Sequence, residues 1–213
     1  RQMMETEQHN PHHIYTVGEH TIRSMQYIRA DKVLRLTMLL HDVAKPVCRT
    51  EDENGIHHFH GHPQVGAEMS RKILRRLKFD NDTIHRVMAL VRAHDDRPPL
   101  QGRSVRRAIY RNGTEQYPEL FEVKRADILA QSSFLQQEKL LYVDRYEHMY
   151  QQIMEKEQCL SLKELAVNGS DLIARGIQPG KEIGEILHHM LEKVLEEPEL
   201  NEKEVLLAWY FKA

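Results

Sequence analysis

The stretch Leu39-Leu40-His41-Asp42-Val43-Ala44-Lys45-Pro46 decides the interpretation of this chain. It ends an apolar helical segment with a histidine–aspartate pair, and we expect proline to stop the helix because it lacks an amide hydrogen and clashes with the preceding turn. Neighbouring helical residues point about 100° apart. Both side chains can therefore reach one metal ion only if that ion lies over the helix end, which makes the pair a candidate anchor for a metal centre.

Further metal-binding side chains flank this pair on both sides. His20 lies upstream, His62 and His94 lie downstream, and Asp127 follows in Lys124-Arg125-Ala126-Asp127-Ile128-Leu129. Each is within or at the edge of a segment with helical periodicity, so a helical bundle can present six nitrogen and oxygen donors to one point. A carboxylate can also bridge two cations about 3.5–4 Å apart. The sequence predicts a centre for one or two divalent cations, and such donors accept iron, manganese, nickel, cobalt, zinc or magnesium.

Composition limits the kind of protein in which this centre would lie. The 213 residues are 40% hydrophobic and 29% charged, with a net charge of −2. Any contact with nucleic acid must therefore come from a local basic patch. The two cysteines, Cys48 and Cys159, have no metal-type spacing and favour a reducing, cytoplasmic setting. No apolar run approaches the roughly 20 residues of a membrane span.

Helical periodicity runs through most of the chain, and no stretch alternates convincingly as a strand. The polar residues 47–62 predict a loop or a small two-stranded ribbon. A change of composition after the last long helix predicts an all-α, metal-bearing bundle over 1–157 and a small helical appendage over 158–213. The expected helices are 12–30, 32–44, 63–77, 81–94, 104–112, 118–132, 134–158, 181–197 and 201–212.

The order histidine, histidine–aspartate, histidine, histidine, aspartate resembles the HD superfamily of metal-dependent phosphohydrolases, which are all-helical bundles. In the minimal form of that superfamily the first histidine, the pair and the last aspartate hold one metal. The matching residues here are His20, His41, Asp42 and Asp127. Members with two extra histidines hold two metals, and His62 and His94 match those. The resemblance implies hydrolysis of phosphomonoesters or 2',3'-cyclic phosphodiesters in nucleotides or RNA ends.

A narrower resemblance is to the C-terminal HD region of bacterial tRNA nucleotidyltransferases and poly(A) polymerases. The segments that carry it are Gln8-His9-Asn10-Pro11-His12-His13, Val17-Gly18-Glu19-His20-Thr21, His60-Gly61-His62-Pro63, Asn168-Gly169-Ser170-Asp171-Leu172-Ile173 and Gly176-Ile177-Gln178-Pro179-Gly180. The polymerase head of that family carries a glycine–serine turn and paired aspartates on a sheet, which nothing here matches. We expect an N-terminal nucleotidyltransferase domain to be missing from this chain, no nucleotide addition by the chain alone, and tRNA as a partner.

Three residues are predicted to take part in catalysis directly. Asp42 could bridge the metals or orient the attacking water. Lys45 could hold a phosphate oxygen, or it could instead offset the dipole at a helix C-terminus. His13 lies two helical turns before His20, so it could be a phosphate ligand or general acid, or a plain surface histidine.

Two other functions stay open at the level of sequence. The chain could be an RNA-binding scaffold of a nucleotidyltransferase with an inactive metal site, gripping the tRNA backbone through lysines and arginines. It could also be a free-standing nucleotide phosphatase of the HD superfamily. In each case no membrane association is expected.

Overall fold

The computed structural model describes residues 2–9, 12, 14–156 and 158–212. These residues are mainly helical, which confirms the all-α fold class. The helices are α1 (Gln2–Glu5), α2 (Val17–Ser24), α3 (Lys32–Leu40), α4 (Lys45–Cys48), α5 (His62–Arg76), α6 (Asn81–Ala93), α7 (Gly102–Asn112), α8 (Tyr117–Leu129), α9 (Gln136–Glu155), α10 (Gly169–Ala174), α11 (Lys181–Glu196) and α12 (Lys203–Lys212), with a 3₁₀ turn at Pro198–Leu200.

The chain divides into two compact units. The first unit runs up to Arg97 and resumes over Glu115–Glu147, and the second consists of Pro98–Thr114 and the chain from His148 onward. This division differs from the expected ranges 1–157 and 158–213, because α7 and the end of α9 belong to the second unit. Among the residues that the structure describes, no helix combines the length and the apolarity needed to span a bilayer.

Helix α3 shows how the sequence sets the elements of the first unit. Asp31 caps its N-terminus, accepting the Leu34 amide at 3.0 Å. Leu34 and Met38 are completely buried in the core. Each such side chain contributes about 1.5–3 kcal/mol relative to its exposed state. Helices α3, α6 and α8 pack against one another around this core.

The end of α3 differs from the expected one. The helix was predicted to reach Ala44 and to be stopped by Pro46, but it ends at Leu40. Two tight turns follow, in which Val43 bonds back to Leu40 and Lys45 to Asp42. Pro46 lies in the first turn of α4, where a missing amide hydrogen costs nothing. The histidine–aspartate pair therefore lies in a turn between two helices.

Residues 47–62 contain the ribbon that the sequence left open as one of two alternatives. Strands β1 (Thr50–Glu51) and β2 (His57–His58) pair antiparallel, with Thr50 opposite His58. The ribbon histidines, His57 and His58, therefore lie just before His62, the first residue of α5. Gly61 precedes that helix with φ 76°, a left-handed conformation that disfavours any residue with a Cβ.

The second unit has its own core and a buried cation. Leu172, Met190 and Val194 are completely buried in it. Arg106 of α7 donates to the carbonyls of Leu195 and Glu196, at 2.7 and 2.9 Å. These carbonyls belong to the last turn of α11, whose unsatisfied acceptors favour a positive charge. The arginine thus ties α7 to the C-terminal helices of this unit.

Candidate metal centre

The six side chains predicted to bind metal meet inside the first unit. Five of them are almost completely buried, and the sixth, Asp127, has 13% of its side chain exposed. They come from three helices and from the residues that directly follow two others: His20 from α2, His41 and Asp42 from the turn after α3, His62 from the start of α5, His94 directly after α6, and Asp127 from α8.

Asp42 lies between two pairs of imidazoles. Its Oδ2 atom is 3.3 Å from His41 Nε2 and 3.7 Å from His20 Nε2. Its Oδ1 atom is 3.4 Å from His62 Nε2 and 3.7 Å from His94 Nε2. In each resulting triad the three ligand atoms lie within 4.8 Å of one another. One carboxylate is thus placed to serve two cation positions, one on each oxygen.

Asp127 makes the two positions unequal. Its Oδ1 atom is 2.8 Å from His20 Nε2 and 3.6 Å from His41 Nε2. Its Oδ2 atom accepts a hydrogen bond from Gln131 at 3.0 Å. The position next to His20 therefore has two imidazoles and two carboxylates, whereas the position next to His62 has two imidazoles and one carboxylate.

Backbone carbonyls fix which nitrogen of each imidazole faces the centre. Since a carbonyl only accepts, the Nδ1 atom of each ring carries a hydrogen, which leaves Nε2 to bind a metal ion or a second proton. Such outer contacts orient metal-binding histidines. The Nδ1 contacts are His41 to Met38 at 2.7 Å, His62 to Phe59 at 2.8 Å, His94 to Val91 at 2.7 Å and His20 to Ala130 at 3.3 Å.

This arrangement fits a divalent cation. The Nε2 atoms of His62 and His94 are 3.2 Å apart, and those of His20 and His41 are 3.3 Å apart. Two lone pairs at such distances repel unless a proton or a metal lies between them. The Oδ2 atom of Asp42 is also buried and accepts no hydrogen bond of good geometry from any described residue. The donor set, imidazole nitrogen with carboxylate oxygen, suits the transition metals and magnesium.

The electrostatics of the centre point the same way. Burial raises the pKa of Asp42 and of Asp127, but the facing imidazoles lower it by more. At Asp42 the ammonium of Lys45 adds to this effect, and both pKa values are held well below the usual range. Burial lowers the pKa of His41, yet Asp42 and Asp127 raise it to about 10. Burial dominates at His94 and lowers its pKa. A proton on His41 thus occupies the place that a cation would take.

Lys45 is held against this centre. Its ammonium is 2.8 Å from Asp42 Oδ2 and donates to Gln8 Oε1 at 2.8 Å. Gln8 is itself buried, 4% exposed, and donates to the Tyr15 carbonyl at 3.3 Å. Sequence reasoning gave Gln8 no role, although it opens a segment that carries the family resemblance. His13, the other predicted catalytic residue besides Asp42 and Lys45, lies outside the described residues.

A cavity of about 470 Å³ covers the centre. Asp42, His62, His94 and Asp127 line it, and so does Lys45. The histidines of the ribbon, His57, His58 and His60, also line it. A small molecule in the cavity can therefore reach these four ligands, although most of their side chains are buried.

Three basic side chains, His12, Arg97 and Lys139, line the same cavity. They lie close enough to affect one another: burial first, then Lys139 and Arg97, lower the pKa of His12. Lys139 also donates to Gln131 Oε1 at 2.7 Å, which links it through Gln131 to Asp127. The i, i+4 spacing from Asp127 could have indicated Gln131, but no sequence signal pointed to Lys139.

With this geometry established, comparison with known proteins places the chain. The family model of tRNA nucleotidyltransferase domain 2 matches residues 50–210. The chain is 33% identical over 187 residues to the CC-adding tRNA nucleotidyltransferase of Thermus thermophilus, covering 85% of this chain and 41% of that protein. It is 32% identical over 190 residues to the A-adding tRNA nucleotidyltransferase of Deinococcus radiodurans, covering 85% and 43%.

The all-α fold and its buried histidine–carboxylate cluster define a helical protein with a candidate metal centre. The chain belongs to the tRNA nucleotidyltransferase family, and it spans about two fifths of the length of the curated relatives that it matches.

Proposed function

We propose that this chain is a metal-dependent phosphohydrolase of the HD type, acting on phosphomonoesters or 2',3'-cyclic phosphodiesters of nucleotides or RNA ends. One observation carries the proposal: the carboxylate of Asp42 faces a histidine pair on each of its oxygens. Two cation positions sharing a carboxylate are typical of enzymes that hydrolyse phosphate esters. The resemblance of the six-residue order to HD phosphohydrolases supports the same chemistry.

The proposed cofactors are one or two divalent cations held by the six residues. Cations in such a site supply Lewis acidity to a phosphate ester and a water molecule that ionises near neutral pH. The donors do not select one metal among iron, manganese, nickel, cobalt, zinc and magnesium.

The protein's own side chains would bind and orient the phosphate group. Arg97 and Lys139 line the cavity above the ligands, and both can donate to non-bridging phosphate oxygens. Lys45 is positioned differently, since its ammonium already contacts Asp42 and Gln8. We propose that Lys45 keeps Asp42 ionised and oriented, and that it contacts the phosphate only at the edge of the cavity.

We also propose that this activity lies in a larger tRNA-processing protein, with tRNA as partner. The names of both relatives describe the addition of nucleotides to tRNA. We expect no such addition by this chain alone. The sheet that the described residues form is a four-residue ribbon without an aspartate, so it offers no carboxylate pair of the polymerase type.

The test is hydrolysis of nucleoside 2',3'-cyclic phosphates and nucleoside monophosphates by protein loaded separately with each metal. Wild type should turn over at least one substrate. Asp42→Ala should lose more than about a hundredfold in rate, because removing even an outer-shell partner typically costs ~10–100-fold. Asp82→Ala is the matched control, since that side chain is 79% exposed on α6. Full activity in Asp42→Ala, or wild type that binds no metal, would contradict the proposal.

A second candidate is an RNA-binding scaffold whose metal site is inactive. Membership of the tRNA nucleotidyltransferase family favours this scaffold function. It also makes a free-standing phosphatase less well supported than either the scaffold or the hydrolase. A scaffold should bind tRNA with an affinity that falls steeply as salt rises. Salt-dependent binding without hydrolysis under any metal would favour the scaffold over the hydrolase.

A further inference from the structure

A second cavity of about 260 Å³ adjoins the metal centre within the first unit. It shares five lining residues with the larger cavity: His12, His94, Arg97, Asp127 and Lys139. Its remaining walls are mostly apolar, unlike those of the larger cavity. We call this smaller cavity the annex.

The apolar walls of the annex come from α8 and from one face of α9. Ile128 of α8 lies on one side. Lys139, Tyr142 and Val143 follow at i, i+3 and i+4, so they share one side of α9, and Leu135 lies directly before that helix. The helix thus presents a phenol ring and the aliphatic side chain of Val143 to the annex, together with Glu138 and the lysine that lines both cavities.

Tyr142 is held in place by an aromatic cluster behind it. Its ring centroid is 6.0 Å from that of Tyr146, in a tilted arrangement. Tyr146 is completely buried, and its hydroxyl is 3.0 Å from the hydroxyl of Tyr117. A ring packed against such a cluster is a preorganised surface, because little rotational freedom remains to be lost when a second ring binds on it.

Leu135 adds an independent observation. Its backbone lies in the left-handed region with φ 52°, which is unusual for a residue other than glycine. Strained residues of this kind cluster at ligand-binding sites. Leu135 is also 43% exposed while lining the annex. An apolar side chain held open to solvent in a strained conformation is consistent with a surface that a ligand covers.

We propose that the annex binds the nucleobase of the substrate while its phosphate lies over the metal centre. The inference rests on the proposed function, and it adds the place where the base of the nucleotide binds. At 260 Å³ the annex is below the range of about 300–1,000 Å³ that holds a whole ligand. A single ring system stacked on Tyr142 suits it, with Arg97 and Lys139 meeting the phosphate between the two cavities. Stacking on an aromatic ring tolerates every base, since each has a π-face.

The experiment compares two substrates that share the reacting group and differ in the base. Cytidine 2',3'-cyclic phosphate carries a base, whereas glycerol 1,2-cyclic phosphate carries none. Tyr142→Ala should raise KM for the cytidine substrate about 10–100-fold, the range that loss of base stacking gives. The kcat for that substrate and both constants for the glycerol substrate should change less than about threefold.

Two variants serve as controls. Tyr142→Phe keeps the ring and should behave as wild type. Tyr27→Ala removes the same side chain from an exposed position outside both cavities and should also behave as wild type. If Tyr142→Ala does not fold, as judged by its thermal melt, Leu135→Ala shortens the exposed wall and should raise KM a few-fold for the cytidine substrate alone. Equal KM values for the two substrates in wild type, or equal effects of Tyr142→Ala on both, would overturn the inference.

Failure of the proposed function can be told apart from failure of the annex. If metal-loaded wild type hydrolyses neither substrate, the hydrolase proposal fails, and equilibrium binding decides the annex. Calorimetry should then show cytidine 3'-monophosphate binding at least tenfold more tightly than inorganic phosphate, with the difference lost in Tyr142→Ala. Equal affinities, or no binding of either, would overturn the annex as a base site.

Discussion

At the scale of single residues, Asp42 has a position that no other ligand shares. Each of its oxygens faces a different histidine pair, so both cation positions depend on it. His62 contributes to one position only. The two residues should therefore differ in how many cations they remove when they are replaced.

Asp42→Asn should lower the affinity of both positions, because the substitution removes the only carboxylate that the two share. His62→Ala should empty one position and leave the one next to His20 occupied. The measurement is metal content per chain after dialysis against a fixed free-metal concentration, with Asp82→Ala as control. Equal metal content in the two variants would contradict the shared role of Asp42.

Gln8 is the second residue whose role follows from its contacts. Gln8→Ala removes the hydrogen bond from the buried Lys45 ammonium. We expect the free energy of unfolding to fall by about 1.5–3 kcal/mol, the usual contribution of a hydrogen bond to a charged group. Urea unfolding of the metal-free protein measures it, with the exposed Gln137→Ala as the matched control. An unchanged urea midpoint would mean that the hydrogen bond from Lys45 to Gln8 does not stabilise the fold.

At the scale of the elements, α8 positions the end of α6. Lys124 of α8 is almost completely buried and donates to the carbonyls of Ala93, His94 and Asp96 at 3.3, 2.7 and 2.6 Å. Burial lowers its pKa to about 8. The lysine satisfies the acceptors left at the end of α6, and these lie where the chain places the His94 ligand.

Lys124→Met should therefore act on both stability and metal binding. We expect a loss of about 3 kcal/mol or more, because charged hydrogen bonds contribute ~1.5–3 kcal/mol each and buried carbonyls would lose their partner. The cation position that contains His94 should weaken more than the one that contains His20. Denaturant unfolding and metal content measure the two effects. Equal weakening of both positions would show that Lys124 supports the fold without placing His94.

Comparison of the predicted helices with the observed ones shows which features of the elements the sequence could predict. The spacing of apolar residues was enough to find α3, α5 and α6, since each of those helices buries one face. It placed the end of α3 four residues too late, because the tight turns after Leu40 leave no mark in hydrophobicity. It placed the start of the first long helix too early, since Thr16 and Glu19 form a capping box that begins α2 at Val17.

At the scale of the whole molecule, the sequence could predict the set of metal ligands better than it could predict the division of the chain into two units. Histidine and aspartate types in a helical pattern were enough to indicate which six side chains could share a site. The bounds of the two units could not be foreseen, because Arg106 joins α7 to carbonyls some ninety residues away. Composition carries no information on such a contact.

Removal of the metal tests the centre at the scale of the whole molecule, since the centre joins residues in or next to α2, α3, α5, α6 and α8. A cation that binds only the folded chain at a hundred times its Kd stabilises by about 2.7 kcal/mol. For a protein of this size that corresponds to a rise in Tm of roughly 5–10 °C. Thermal melts with and without a chelator should show this difference in wild type and not in Asp42→Asn. The same Tm with and without chelator in wild type would mean that the cluster does not retain metal.

Three of the imidazoles take their orientation from the carbonyl three residues earlier in their own turn: His41 from Met38, His62 from Phe59, and His94 from Val91. Such a contact needs no particular side chain at the earlier position. The orientation of each of these rings therefore depends on a hydrogen bond within four consecutive residues, which forms together with the turn. Protein engineers could transplant this four-residue unit to the ends of helices in an unrelated scaffold, where it would orient the ring while other contacts, such as those of Lys124, place the turn.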